Sequence, residues 1–185
     1  YSVRGYIDSS GTRRAVFCTR KLRQYSPGFG VQCYSVSCTE QRLLDMAEAA
    51  AKSLNYTGAF DMDFVCDNDN TFRFIEINPR FGLPNGHAAD CGVNLPWIAY
   101  CDLTGIPLPP ALRQRNGLPW MHFGNDIKSA VKMKLRGRIT ALEWLRSLFS
   151  VRSRAVWAAD DPMPALRAPA YCLGLHKARR TRNRP

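Results

Sequence analysis

Two short stretches, Asp61-Met-Asp-Phe-Val65 and Phe74-Ile-Glu-Ile-Asn78, constrain this 185-residue chain more than any other feature. Each alternates polar and apolar side chains with a period of two, the pattern of a half-buried β-strand. Asp67-Asn-Asp-Asn70 between them is turn material. Asp61 and Asp63 therefore share one face of their strand, with Met62 and Phe64 on the other. Glu76 and Asn78 likewise share a face, Ile75 and Ile77 turn away, and alternation puts Phe72 and Phe74 on the Glu76 side. A hairpin closed by Asp69-Asn70 as a two-residue turn sets Asp63 opposite Glu76 and Asp61 opposite Asn78, with Cβ atoms about 5 Å apart. A slip of one residue would send Asp63 and Glu76 to opposite faces.

Three carboxylates and a carboxamide on one patch of sheet repel one another unless a cation joins them. An all-oxygen donor set suits a hard divalent ion, and Mg²⁺ commonly takes one or two carboxylates beside phosphates and water. Arg80, just past the strand, has the planar fork that matches phosphate oxygens. Acidic residues on a strand most often simply face water. Here the strands are otherwise strongly apolar and the second ends in Asn78-Pro-Arg80, which favours a site.

Around this hairpin the chain reads as mixed strands and helices. Strands are expected at Tyr1 to Ile7, Ala15 to Arg20, Val31 to Val36 and Trp120 to Phe123, with a turn at Asp8-Ser-Ser-Gly11 and a loop at Ser26-Pro-Gly-Phe-Gly30. A helix from Glu40 to Leu54, capped by Thr39, carries Leu43, Ala47, Ala50 and Leu54 as one stripe. A short helix covers Asn85 to Cys91, and Asn94, Pro96 and Gly105 punctuate another. Ile106 to Pro119 is a Pro-rich boundary. Beyond it, helices are expected over Asp126 to Arg136 and Thr140 to Phe149, the second opened by a Thr140-x-x-Glu143 capping box. Trp144, Leu145 and Leu148 are read as helix core.

The net charge of +11 is unevenly placed. Residues 1–112 hold 10 Lys/Arg against 11 Asp/Glu, whereas residues 113–185 hold 16 against 4. The excess therefore belongs to the C-terminal portion, notably Lys177-Ala-Arg-Arg-Thr-Arg-Asn-Arg-Pro185, which could meet phosphate polyanions or an anionic membrane. A solvated, disordered end with at most weak polyanion contact is the plainer expectation. Seven cysteines, with no C-x-x-C pair, argue against a disulfide framework or zinc site and for a reduced, cytoplasmic setting. No apolar run reaches the roughly 18 to 20 residues that span a bilayer. Tyr1 carries no signal peptide and reads as mid-strand, so the sequence is expected to start inside a longer protein. Ser26 to Gly30 lacks the Gly-Lys-Ser/Thr ending of a P-loop, and His87, His122 and His176 have no partner at ligand or triad spacing.

Phe60-Asp-Met-Asp-Phe-Val65 followed by Phe74-Ile-Glu-Ile-Asn-Pro-Arg-Phe-Gly82 resembles the metal-binding signature of the ATP-grasp superfamily, which includes D-alanine–D-alanine ligase, biotin carboxylase and carbamoyl phosphate synthetase. Arg20-Lys-Leu-Arg23 with Ser26 to Gly30, and Asp90-Cys-Gly-Val-Asn-Leu-Pro96 with Gly105, extend the likeness over about residues 1–108. The resemblance implies an α+β fold, the C-terminal subdomain of ATP-grasp: a largely antiparallel sheet flanked by helices, with a helical basic C-terminal extension. Domains then divide as 1–108, catalytic and metal-binding; 109–176, the extension; and 177–185, the tail. It implies an ATP- and Mg²⁺- (or Mn²⁺-) dependent, ADP-forming ligase joining a carboxylate to an amine through an acyl-phosphate. Asp63, Glu76 and Asn78 are its metal ligands. Lys21, Arg23 and Arg80 face the phosphates, and Arg80 and Asp61 act at the reacting centre, Asp61 orienting the amine or a metal-bound water. The phosphate-covering lysines and adenine hinge of the superfamily precede this region, so the sequence alone is expected to bind ATP poorly and to be inactive.

Two alternatives stand beside this reading. One is a basic nucleic-acid-binding module built on the C-terminal portion, with Trp120, Trp144 and Trp157 for stacking. The other is a catalytically inactive remnant. Small-molecule carboxylate and amine partners follow from the ligase reading, and a homodimer stays open.

Overall fold

Ser2–Ile7 (β1) has a strand on either side, and its Gly5 shows why: a Cβ there would lie 2.5 Å from the Phe60 ring and 2.7 Å from the Ala15 carbonyl. Its neighbours are Arg13–Tyr25 (β2) and Gly58–Cys66 (β4), both antiparallel. With Val31–Ser37 (β3), Phe72–Asn78 (β5), Pro119–Met121 (β6) and Ser153–Arg154 (β7) they form one seven-stranded sheet, ordered β5-β4-β1-β2-β3-β6-β7. All pairings are antiparallel except β6 with β7. This computed structural model describes residues 1–28, 30–108, 113–158 and 160–172. The basic tail expected over 177–185 and His176 lie outside the described residues.

Gln41–Ser53 (α1) packs on one face of the sheet through Leu43, Ala47 and Ala51, against Val3, Cys18, Met62 and Phe64. The buried stripe is shifted from expectation: Ala50 is half-buried, Leu54 exposed and Ala51 buried instead. Thr39 does not cap this helix. Glu40 occupies the N-cap without a side-chain bond, while the Thr39 hydroxyl bonds Asn116. On the opposite face, Asn85–Asp90 (α2) and Leu95–Thr104 (α3) cover Tyr6, Ala15 and Phe17. Asn94 accepts from the Trp97 N–H, and Gly105 ends α3 in the left-handed region, as the sequence predicts.

Residues 119–154 add β6 and β7 to the sheet begun by the first 108 residues. Phe123–Leu135 (α4) starts three residues before expectation because the His122 side chain accepts from the Asn125 N–H as an N-cap. Ala141–Ser150 (α5) opens with the expected capping box. Its packing is not the expected apolar one. Trp144 and Leu148 are half-buried, Leu145 is exposed, and no residue of α5 is fully buried. Met163–Cys172 (α6) follows. Among the described residues no helix is long and apolar enough to cross a membrane, and six free cysteines form no disulfide.

Candidate active site

The hairpin of β4 and β5 reaches the expected alignment by an unexpected route. Asp63 pairs with Glu76 and Asp61 with Asn78. Nearer the tip, however, Phe64 pairs with Phe74 and Cys66 with Phe72, so Ile75 is an extra residue on β5, a β-bulge. The connection is not the two-residue Asp69-Asn70 turn. The Asp67 N–H donates to the Thr71 carbonyl, the Asp67 carboxylate accepts from the Asp69 and Thr71 N–H groups, and Asn70 takes a positive φ of 58°. The longer loop changes the pairing by one residue and the bulge changes it back. In consequence Phe72 and Phe74 lie on the face opposite Glu76, Phe72 buried in the α1 core and Phe74 edge-on to Phe64 at 5.6 Å.

Each carboxylate of β4 has its own cation. Lys21 on β2 sets its Nζ 2.6 Å from Asp63 Oδ2, and Ser2 Oγ donates to Asp63 Oδ1 at 2.5 Å. Burial pushes the Asp63 carboxyl up, but Lys21 and these hydrogen bonds together outweigh it, and it sits below the usual carboxylate range. Asp61 faces Arg4, with Nε 3.1 Å from Oδ1. The two are in ionic contact without hydrogen-bond alignment, since both atoms lack a well-directed partner. Burial prevails at Asp61 and raises its carboxyl, against the pull of Arg4. Gly82 lies directly over this pair: a Cβ there would collide with the Asp61 carboxylate.

Arg4 was not singled out by its residue type or by any motif. It is buried in mid-strand and also donates to Thr19 Oγ1 (3.2 Å) and Gln32 Oε1 (3.1 Å), while Gln32 donates to Ser35 Oγ. The signal was available in the alternation of Ser2, Arg4 and Tyr6 against Val3 and Ile7, but it required knowing that β4 pairs with β1. At the open edge, Asn78 Nδ2 donates to Glu76 Oε1 at 3.0 Å, and Arg80 reaches Asn78 Oδ1 at 3.4 Å and the Phe81 carbonyl. Glu76 and Arg80 are exposed. Lys21, Asp61, Asp63, Glu76, Asn78 and Arg80 thus share one face and one end of the sheet.

Arg23 does not join them, contrary to expectation. Leu22 interrupts the pairing of β2 with β3, and the irregularity turns Arg23 to the other face. There its Nε and Nη2 donate to Asp126 at 2.7 and 3.0 Å, Nη2 also donates to Ser147, and the guanidinium lies 4.0 Å from the Tyr34 ring centroid. Neither member reaches solvent to any extent, with side-chain exposures of 7% and 0%. His87 serves packing: it bonds the Leu118 carbonyl and stacks 6.2 Å from Trp120.

The donor set was tested against a divalent cation. Among the described residues no three His, Cys, Asp or Glu side chains gather around a point suited to a metal. Strand pairing brings two carboxylates and one carboxamide to one face, and both Asp63 oxygens are already engaged, Oδ2 by the Lys21 ammonium and Oδ1 by the Ser2 hydroxyl. Asp63, Glu76 and Asn78 therefore fit a hard cation provided that Lys21 yields its place.

No protein-family model matches the sequence, and no curated protein does. Solved structures with a similar fold include a complex of biotin carboxylase with β,γ-ATP from Campylobacter jejuni, at 23% identity and TM-score 0.48, covering 58% of this chain and 25% of that one. A phosphoribosylaminoimidazole carboxylase ATPase subunit from Aquifex aeolicus is 18% identical with TM-score 0.47, covering 64% and 35%. N5-carboxyaminoimidazole synthetase from Staphylococcus aureus is 13% identical with TM-score 0.49, covering 73% and 36%. These are likenesses of fold, and this chain spans about a third or less of each of those proteins.

Proposed function

We infer that this chain carries the metal- and phosphate-facing part of an ATP-dependent ligase that joins a carboxylate to an amine with release of ADP. The observation that carries the reading is the pairing of Asp63 with Glu76 and Asp61 with Asn78 on one sheet face, with Arg80 directly after it. Oxygen donors beside a guanidinium suit a metal–phosphate complex. Asp63, Glu76 and Asn78 would hold Mg²⁺ or Mn²⁺, which when bound supplies charge neutralisation for the phosphates.

The chain's own residues supply position and charge. Glu76 and Asn78 present oxygens at the open edge of the sheet, already aligned by the bond between their side chains. Arg80, exposed, with its Nη1 on the Phe81 carbonyl and its Nη2 in a long bond to Asn78, would turn its remaining donor capacity toward charge developing on a transferred phosphoryl group. Lys21, which now pairs with Asp63, would be a donor for phosphate or for the substrate carboxylate were that oxygen to hold a metal. Asp61, fixed by Arg4 and covered by Gly82, is a rigid acceptor for an amine proton.

The test, in a complete ligase that contains this chain, is Mg²⁺-dependent ADP formation in Glu76→Gln and Asn78→Ala, with circular dichroism as a check on folding. Both are expected to cut ADP release at least about a hundredfold, as loss of a charge-stabilising group typically does. Near-normal turnover in both variants at ordinary Mg²⁺ would sink the assignment.

A further inference from the structure

α5 is built the wrong way round for a core helix. Leu142, Leu145 and Phe149 fall on one stripe at spacings of three and four, and all three face solvent, Phe149 at 82% exposure. The inward side is held mainly by polar bonds: Trp144 Nε1 to Asp126, Ser147 Oγ accepting from Arg23, and Ser150 with the Tyr34 hydroxyl. α4 repeats the arrangement. Val131 and Leu135, one turn apart, are 55% and 83% exposed. An exposed leucine by itself means little, but two consecutive helices, linked by the hydrogen bond from Trp144 to Asp126 and each presenting an apolar stripe, leave apolar surface that water penalises.

The charge around the stripes says what covers them. Residues 123–154 contain eight basic side chains, including Lys132, Lys134, Arg136, Arg138 and Arg146, and two acidic ones. Asp126 is buried under Arg23, and the exposed Glu143 offsets only one of the eight basic charges. A second copy of the chain would bring two basic rims together. Single-stranded nucleic acid would want a series of flat aromatic faces, and the stripes offer chiefly aliphatic side chains with two phenylalanines, Phe149 on α5 and Phe123 on α4. Aliphatic stripes with a basic surround match acyl chains under anionic headgroups. We propose that the α4–α5 face docks this protein on an anionic lipid bilayer, as a peripheral contact. Tyr34 and Met121, which α5 covers, point away from the side occupied by Ser35 and Trp120. The docking face is thus on the side of the sheet opposite the carboxylate cluster, which stays open to solution. This inference does not depend on the ligase reading.

The test is co-sedimentation of the full chain with vesicles of phosphatidylcholine alone and of phosphatidylcholine mixed with phosphatidylserine. Binding is expected to the anionic vesicles and to weaken with salt. The double variant Leu145→Ser/Phe149→Ser should lower it at least about tenfold with an unchanged circular dichroism spectrum, because the apolar contact is lost while the core is untouched. Lys134→Gln and Arg146→Gln should each lower it about fivefold. Three results overturn the proposal: double-Ser binding equal to that of the unmodified chain, no binding to anionic vesicles beside tight binding of single-stranded RNA, or a dimer that the double-Ser change dissociates.

Discussion

Replacing Asp126 by Asn should be among the most damaging single-atom changes available in this protein. Its carboxylate accepts from Arg23 Nε, Arg23 Nη2 and Trp144 Nε1 at 2.7, 3.0 and 2.9 Å. An amide offers one acceptor oxygen and turns an NH₂ group toward the remaining donors. Arg23 is then a buried cation with no counter-charge. Breaking one side of such a pair costs about 3–5 kcal/mol, a large part of the roughly 5–15 kcal/mol that stabilises a typical domain. Equilibrium unfolding in urea, followed by circular dichroism, reads this out. With a slope near 2 kcal/mol/M, the midpoint should fall by about 2 M at unchanged slope. Arg23→Met/Asp126→Leu should recover most of the loss, since an apolar pair of similar volume replaces a buried ion pair at little cost. A loss under about 1 kcal/mol for Asp126→Asn would refute the reasoning and mean that water already serves these groups. The same series decides the role of Arg23. Arg23→Met should lose stability and keep its nucleotide affinity, whereas the reverse would restore the phosphate-facing role that alternation predicts.

Two further perturbations probe the other face. Burial pushes the His87 imidazole down to about 4 from its ordinary 6.5, so the folded state stays neutral where the unfolded chain is protonated. The unfolded state binds more protons between those values, so stability is complete above pH 6.5 and falls by about 3 kcal/mol as pH drops to 4. His87→Phe should flatten that limb of a urea-midpoint profile, and an unchanged slope would count against the assignment. Gly82→Ala forces a methyl into the Asp61 carboxylate and should cost about 1–3 kcal/mol in thermal unfolding, while Gly86→Ala, with open space around it, should be neutral or stabilising. Equal effects at the two glycines would show that the Arg4–Asp61 pair is not held by close packing.

Period-two alternation made the shared face of Asp61 with Asp63 and of Glu76 with Asn78 legible, while the expected pairing held only because the bulge at Ile75 offset a turn one residue longer than expected. Asn94, Gly105 and the Thr140–Glu143 box were legible as well, each being a local signal. What escaped depends on contacts distant in sequence. Arg4 reaches Asp61 only because β1 lies between β2 and β4, an order that the strands themselves do not encode. Arg23 meets Asp126 across 103 positions, and an irregularity at Leu22 that no composition announces turns it there. On α5, Trp144, Leu145 and Leu148 read as helix core, yet only Trp144 and Leu148 turn inward, each half-buried. Apolar periodicity marks a face without saying whether the sheet or the solvent lies beyond it, and here Trp144, Ser147 and Ser150 decided the matter with hydrogen bonds.

The bulge at Ile75 separates the hairpin into two mechanically independent spans. Everything distal to it, from Phe64 through the Asp67–Thr71 loop to Phe74, keeps its own side-chain parity, and everything proximal keeps another. Lengthening or shortening the distal loop alters what the tip presents to solvent without sliding Glu76 past Asp63. A residue inserted between Ile75 and Asn78 has no such slack to absorb it and would rotate Asn78 out of line with Asp61. Sequence variation in this hairpin should therefore be lopsided, free in length on the tip side of Ile75 and rigid in length on the other.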